Sequence, residues 1–270
     1  MKYLLNMDTK QDVFYHSSRK GIVGDIQPQY RSSDGKEVAR QKTDFGIGFY
    51  IGTKEKQTIH LVSNASEPKL YTVKIPQNAI TEDNSLILTK EDWLWFVLYN
   101  RGKMEGIKGT AFFEYYAHLA DGKQFIIGAI ADDIYNRCIS DFVNNNITDY
   151  TFFHLIDCFD FGTQITAKTQ NACDSLVVEL ERIITKEERE SVILSVLDKS
   201  ERTAFYVNRK AELNAEHKGL YFFELLHEIR EQDLSRSQYY GELGKTAKQF
   251  ANIKFPRHLH KRSDRDVEMF

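Results

Sequence analysis

TDFGIGFYIGT, residues 43–53, sets two glycines one residue apart inside an aromatic and β-branched run. Glycine in a strand costs conformational entropy and packs nothing, so a strand keeps it where the chain bulges or where something approaches the backbone. The run predicts a bent strand with Phe49 and Tyr50 pointing to opposite faces and with Gly46 and Gly48 framing a site. A hairpin corner around a buried aromatic carries the same pattern. A second segment separates the two readings.

That segment is Val13-Phe14-Tyr15-His16-Ser17-Ser18, a short apolar strand ending in a histidine and two hydroxyl residues. Further on stand Trp93, Phe96, Asn100 and Arg101, then Ile127-Gly128-Ala129-Ile130-Ala131-Asp132-Asp133, then Gln164-Ile165. The segment Val13–Ser18 and Asp44-Phe45-Gly46-Ile47-Gly48-Phe49-Tyr50 together resemble the opening half of the ADP-ribosyltransferase fold of the diphtheria-toxin and poly-ADP-ribose-polymerase branch. All five motifs, in order, are more closely similar to a bacterial family of ADP-ribosyltransferase-like domains, domain of unknown function 3990. The resemblance covers roughly two thirds of the chain, residues 11–179.

The resemblance implies an α+β fold of two small packed sheets with an NAD cleft between them, and NAD as a substrate consumed in the reaction. His16 would donate a hydrogen bond to a ribose hydroxyl, the backbone of Ser17 would grip the carboxamide, and Ser18 would add a hydroxyl. Tyr50 would stack on nicotinamide. Asp44 and Phe45 would border the cofactor, and Gly46 and Gly48 would leave room for it. The polymerase-type pattern has glycine where this chain has Ser17. It also has a carboxylate, which stabilises developing positive charge, where this chain has Gln164; Asp44, Asp132 and Asp133 are the carboxylates that could compensate. The implied activity is mono-ADP-ribosyl transfer to a macromolecule, in a toxin of a bacterial toxin–antitoxin or phage-defence system, with an antitoxin protein as partner. NAD glycohydrolysis and a catalytically inactive NAD-binding module are the competing readings.

Composition sets the outer limits. A chain of 270 residues with 41% hydrophobic and 28% charged residues can bury a sizeable core. A formal charge of −3 and a pI near 6.3 exclude a globally basic nucleic-acid binder while allowing a local basic patch. Cys138, Cys158 and Cys173 have no metal-ligand spacing and are odd in number, which predicts a reduced, cytoplasmic protein without a disulfide framework. No apolar run approaches the ~20 residues that span a bilayer, and the N-terminus has no signal-peptide pattern. The glycine spacing continues into Phe49-Tyr50-Ile51 and not into a helix, so it is no dinucleotide fingerprint; P-loop and zinc patterns are absent too.

Along the chain, residues 19–43 read as a loop beside the site, 54–63 as a helix with Ile59 and Val62 inward, and 70–75 and 86–88 as strands. Thr89 caps a helix whose Asp92 completes a capping-box variant and whose Trp93, Phe96 and Val97 form a core face. Residues 124–130, 162–167 and 176–181 read as strands, and 134–142, 149–160 and 170–175 as helical or apolar elements. Strands mixed with short helices, without βαβ spacing, predict α+β. The catalytic domain is expected over 1–181 and a helical extension over 182–270. The extension's basic tail, residues 245–265, interleaves Lys254, Arg257, Lys261 and Arg262 with Phe250 and Phe255, a pattern suited to single-stranded RNA as acceptor, with protein as the alternative.

Overall fold

The computed structural model describes residues 13–28, 30–31, 37–38, 43–76, 78–130, 133–159, 162–195 and 199–239. Its strands are β1 (Val13–Ser18), β2 (Tyr30–Arg31), β3 (Glu37–Val38), β4 (Phe49–Gly52), β5 (Lys69–Lys74), β6 (Ser85–Ile87), β7 (Phe125–Ala129), β8 (Thr163–Ala167) and β9 (Val177–Ile183). The α-helices are α1 (Glu55–His60), α2 (Lys90–Asn100), α3 (Ala111–His118), α4 (Asp133–Val143), α5 (Asp149–Ile156), α6 (Gln170–Asp174), α7 (Lys186–Ser195), α8 (Lys199–Asn214) and α9 (Phe222–Gln232), with a 3₁₀ turn at Glu105–Ile107. The class is α+β. None of these helices is long and apolar enough to cross a membrane. Asp132 and the basic tail lie outside the described residues.

Two small packed sheets were the expectation. Seven strands instead form one mixed sheet in the order β6-β7-β8-β4-β1-β5-β9, and β2 and β3 make a separate ribbon. Only β6 and β7 run parallel within the seven. The sheet nevertheless has two halves, because the central neighbours β1 and β4 share a single register pair, Tyr15↔Gly52. By contrast, β1 pairs with β5 along its whole length and β4 pairs with β8 at all four of its residues.

Strand alternation divides the apolar residues between the two faces. Phe49, Ile51, Phe125, Ile127, Ile165 and Ala167 enter one cluster, which Phe14 and Val73 join from the other half of the sheet. Tyr50 and Ile126 project to the opposite face, where α2 to α5 build the largest core. Helix α2 is buried all round from Asp92 to Leu98, as expected of a helix apolar on every side. The sequence pattern of Trp93, Phe96 and Val97 shows only part of that burial.

The helices after residue 182 enter this same core. Tyr206 and Leu213 of α8, Phe222, Leu225 and Ile229 of α9, and Tyr239 all contribute to it. Trp95, fully buried, is ringed by Phe112 at 5.0 Å, Tyr239 at 5.6 Å, Phe222 at 6.2 Å and Phe142 at 6.4 Å between centroids. Beside it, the Asp92 carboxylate accepts two hydrogen bonds from Arg236, each 2.7 Å, and a third from the Tyr116 hydroxyl at 3.1 Å. Thr89 caps α2 by accepting from the Asp92 amide at 3.1 Å, as its sequence position predicts.

Candidate functional site

Beyond Tyr15↔Gly52 no register pair joins β1 to β4. The strands therefore stop forming a ladder toward the end that carries Ser17 and Ser18 on β1 and Gly48 and Phe49 at the start of β4. A side chain takes up the interaction there: Nδ1 of His16 lies 2.8 Å from the main-chain oxygen of Tyr50. A carbonyl only accepts, so Nδ1 carries the proton, and in the neutral ring Nε2 is the acceptor nitrogen. The expected donation from His16 to a ribose hydroxyl therefore calls for the doubly protonated ring, in which Nε2 donates as well. The ring itself stacks on Phe49, with centroids 4.4 Å apart.

Tyr50 points the other way. Its hydroxyl donates to the oxygen of Gly46 at 2.6 Å and accepts from the amide of Phe45 at 3.0 Å, and its ring stacks on Phe45. Burial pushes its pKa up to about 12, against the lowering effect of hydrogen bonds with the Thr43 side chain and the Phe45 amide. His16 and Tyr50 are thus neighbours through the backbone while their side chains occupy opposite faces of the sheet. Tyr50, which the resemblance has stacking on nicotinamide, fastens its own loop through its hydroxyl.

That loop, residues 43–48, is held from several directions. Thr43 Oγ1 donates to the oxygen of Gly46 at 2.5 Å, and Asp44 forms an ion pair with Arg101, the C-cap of α2, whose Nε is 3.0 Å from Oδ1. Phe45 is fully buried against Phe96. The glycines have internal reasons to be glycine. Gly46 has φ +72°, and a Cβ there would lie 2.7 Å from Asn100 Oδ1. At Gly48 a Cβ would collide with Thr166 Cγ2 and come within 2.9 Å of the oxygen of Ala167. The space attributed to a cofactor is, on this face, occupied by β8 and α2.

Gln164 shares Tyr50's face, since Gly52 pairs with Gln164 and Tyr50 with Thr166. It stands between two glycines, Gly52 of β4 and Gly128 of β7. The side chain is buried, and its Nε2 has no hydrogen-bond partner among the described residues. A buried donor without an acceptor costs on the order of 1–3 kcal/mol, which a ligand oxygen would recover. Ser17 Oγ donates to the main-chain oxygen of Thr58, and Ser18 Oγ accepts from the amide of Gly21 at 3.1 Å, so both hydroxyls are engaged within the fold. A separate cavity of about 100 Å³ is walled by Trp93, Tyr135 and Ile156; none of the candidate catalytic or NAD-binding residues read from the sequence lines it.

One residue with unusual chemistry escaped the sequence reading. Lys168, directly after β8, donates from Nζ to the oxygen of Phe45 at 2.6 Å, and burial pulls its pKa down to about 8. A lysine at a strand end carries no sequence signal of burial, because long stems ordinarily snorkel. Lysine is depressed here relative to its value of 10.5, so the unfolded chain binds more protons between about pH 8 and 10.5. Stability from this group therefore rises with pH across that window. Thermal melts of the wild type against Lys168→Met between pH 8 and 10 should show that rise in the wild type and a flatter profile in the variant.

Comparison with known families matches residues 14–177 to the family described as "Protein of unknown function (DUF3990)". No curated protein and no solved structure matches the chain.

Proposed function

The chain belongs to the DUF3990 family, and from that premise we propose that it is an NAD-consuming mono-ADP-ribosyltransferase acting on a macromolecule. The observation that supports this reading best is the ending of the β1–β4 ladder at Tyr15↔Gly52, which leaves the segments His16-Ser17-Ser18 and Gly48-Phe49-Tyr50 unpaired with each other as strands. These are the two segments that resemble the NAD-binding strands of ADP-ribosyltransferases. The backbone at Ser17 would hold the nicotinamide carboxamide, and His16, oriented by the oxygen of Tyr50, would fix a ribose hydroxyl. In the reaction the bond between nicotinamide nitrogen and ribose C1′ breaks with its electron pair going to nicotinamide. An acceptor lone pair then forms the new bond to C1′ and loses its proton to solvent.

Gln164 brings no charge to that centre. Its side chain lies on the face opposite the His16 ring, and a carboxamide cannot act as general base toward the acceptor. An acceptor atom that is already nucleophilic, such as a base nitrogen or an amine, fits this site better than an alkyl hydroxyl. A toxin role with an antitoxin partner belongs to the same proposal.

The test is to incubate the purified protein with NAD labelled in the adenylate half and, separately, with cell protein, RNA and DNA. Nicotinamide release together with label on one macromolecule is the expected outcome. Release with free ADP-ribose as the only product would make the protein a glycohydrolase, and NAD binding without release would make it a binding module.

A further inference from the structure

We propose that the cavity bounded by the first turn of α2, the ends of β7 and α5, and α4 is a binding site for a neutral, benzene-sized aromatic ring of a small-molecule ligand. The inference is independent of the transferase reading. Trp93, Tyr135 and Ile156, all buried, form the floor, and Leu88 and Ala129, half-buried, form the sides. Thr89 and Lys90, both exposed, stand at the mouth, so the space is reached from solvent. Its volume of about 100 Å³ is well above the ~10–15 Å³ that a single water requires, and it can admit either several waters or a ligand ring.

Hydrogen bonding of the walls decides between the two. Trp93 Nε1 donates to the oxygen of Ala129 at 2.9 Å, and the Tyr135 hydroxyl lies 3.1 Å from the oxygens of both Ile156 and Phe159. Thr89 Oγ1 accepts from the Asp92 amide at 3.1 Å, and the Lys90 ammonium pairs with the Asp157 carboxylate. These polar groups are engaged with protein partners, whereas an ordered water takes roughly two to four polar contacts of its own. An acidic ligand would have to displace Asp157 from Lys90, which selects against charge. Apolar surface remains, and two of its walls are aromatic: Trp93 and Tyr135 stand edge to face with centroids 5.4 Å apart. Their hydrogen bonds keep either ring from turning into the space, and a third ring extends the same edge-to-face order, which is favourable beyond the area it buries. Trp93 and Leu88 also cover Gly128, where a Cβ would lie 3.1 and 3.4 Å from their Cδ1 atoms, and Gly128 pairs with Gln164. An occupant therefore touches the side chains that roof the strand beside Gln164.

The test titrates toluene into the full chain carrying ¹³C-labelled methyl groups and follows Leu88, Ala129 and Ile156 by NMR, without NAD. Saturable shifts at these residues are expected, with a Kd on the order of 1 mM for a ligand of this size. Ala129→Leu places bulk in the space and should weaken binding at least about tenfold, since overfilling a packed site is unfavourable. Should that variant not fold, the location of the wild-type shifts decides. Benzoate, the same ring with a carboxylate, is expected to bind no more tightly than toluene, because Asp157 holds the Lys90 ammonium. The proposal is overturned if none of the three residues' methyl signals moves, if the shifts grow without saturating, if Ala129→Leu folds and binds as the wild type does, or if benzoate binds more tightly. Because NAD is absent, none of these outcomes touches the transferase reading.

Discussion

His16→Ala is expected to lower nicotinamide release from NAD by about 100-fold while moving the melting temperature by no more than a few degrees. The ring stacks on Phe49 and bonds the oxygen of Tyr50 at a place where the β1–β4 ladder has already ended. Its removal thus forfeits a hydrogen bond and a ring stacking, each of about 1 kcal/mol, in the free protein. In the reaction it forfeits the group that positions the ribose, and a positioned proton-transfer or orienting group contributes about 10²–10⁴-fold. His16→Gln, which can still donate to that oxygen, separates the roles: restored melting without restored release marks a group acting on substrate. Equal losses of stability and activity in His16→Ala would mark a structural histidine. Tyr50→Ala differs, because it strips the hydroxyl that bridges Phe45 and Gly46 and opens a gap beside Phe45. It should lower both activity and melting temperature, and Tyr50→Phe should keep most of the packing.

The largest effect on stability should come from Trp95→Ala, about 3–5 kcal/mol. Trp95 is fully buried and meets rings from α3, α4, α9 and Tyr239, so no single element can collapse into the vacated space. Domains are stable by only about 5–15 kcal/mol, and the variant should therefore show a much lower denaturation midpoint in urea. A midpoint shift worth under about 1 kcal/mol would mean that the helices after residue 182 contribute little to this core.

Local signals in the chain were strong enough to locate most elements. The capping pattern at Thr89 and Asp92, the alternation in β5 and the apolar strand β7 all appear where periodicity and turn chemistry place them. What periodicity cannot convey is which strand lies beside which. The parallel pairing of β6 with β7 and the single sheet with its weak central seam depend on partners distant in sequence. The same holds at the site. The motifs put His16, Tyr50 and Gln164 on neighbouring strands, yet register decides which face each side chain takes, and a one-residue difference in register exchanges the faces. Lys168 was illegible because its burial comes from the Phe45 loop, more than 120 residues away. For Gly46 and Gly48, the sequence indicates only that a close approach exists; the approaching groups turn out to be Asn100 and Thr166.

The Asp92–Arg236 pair joins residues 144 positions apart, and Tyr239 completes the ring around Trp95. During synthesis, at roughly 5–20 residues per second, α2 emerges from the ribosome long before its partners exist. For that interval Trp95 lacks two of its ring neighbours and the Asp92 carboxylate lacks its guanidinium. The nascent chain thus cannot close its main core until nearly the whole described sequence has been made. Completion of the core is thereby tied to synthesis through Tyr239, and a product truncated before Arg236 would carry an unpaired acid and an uncovered tryptophan, the kind of surface that chaperones and proteases act on.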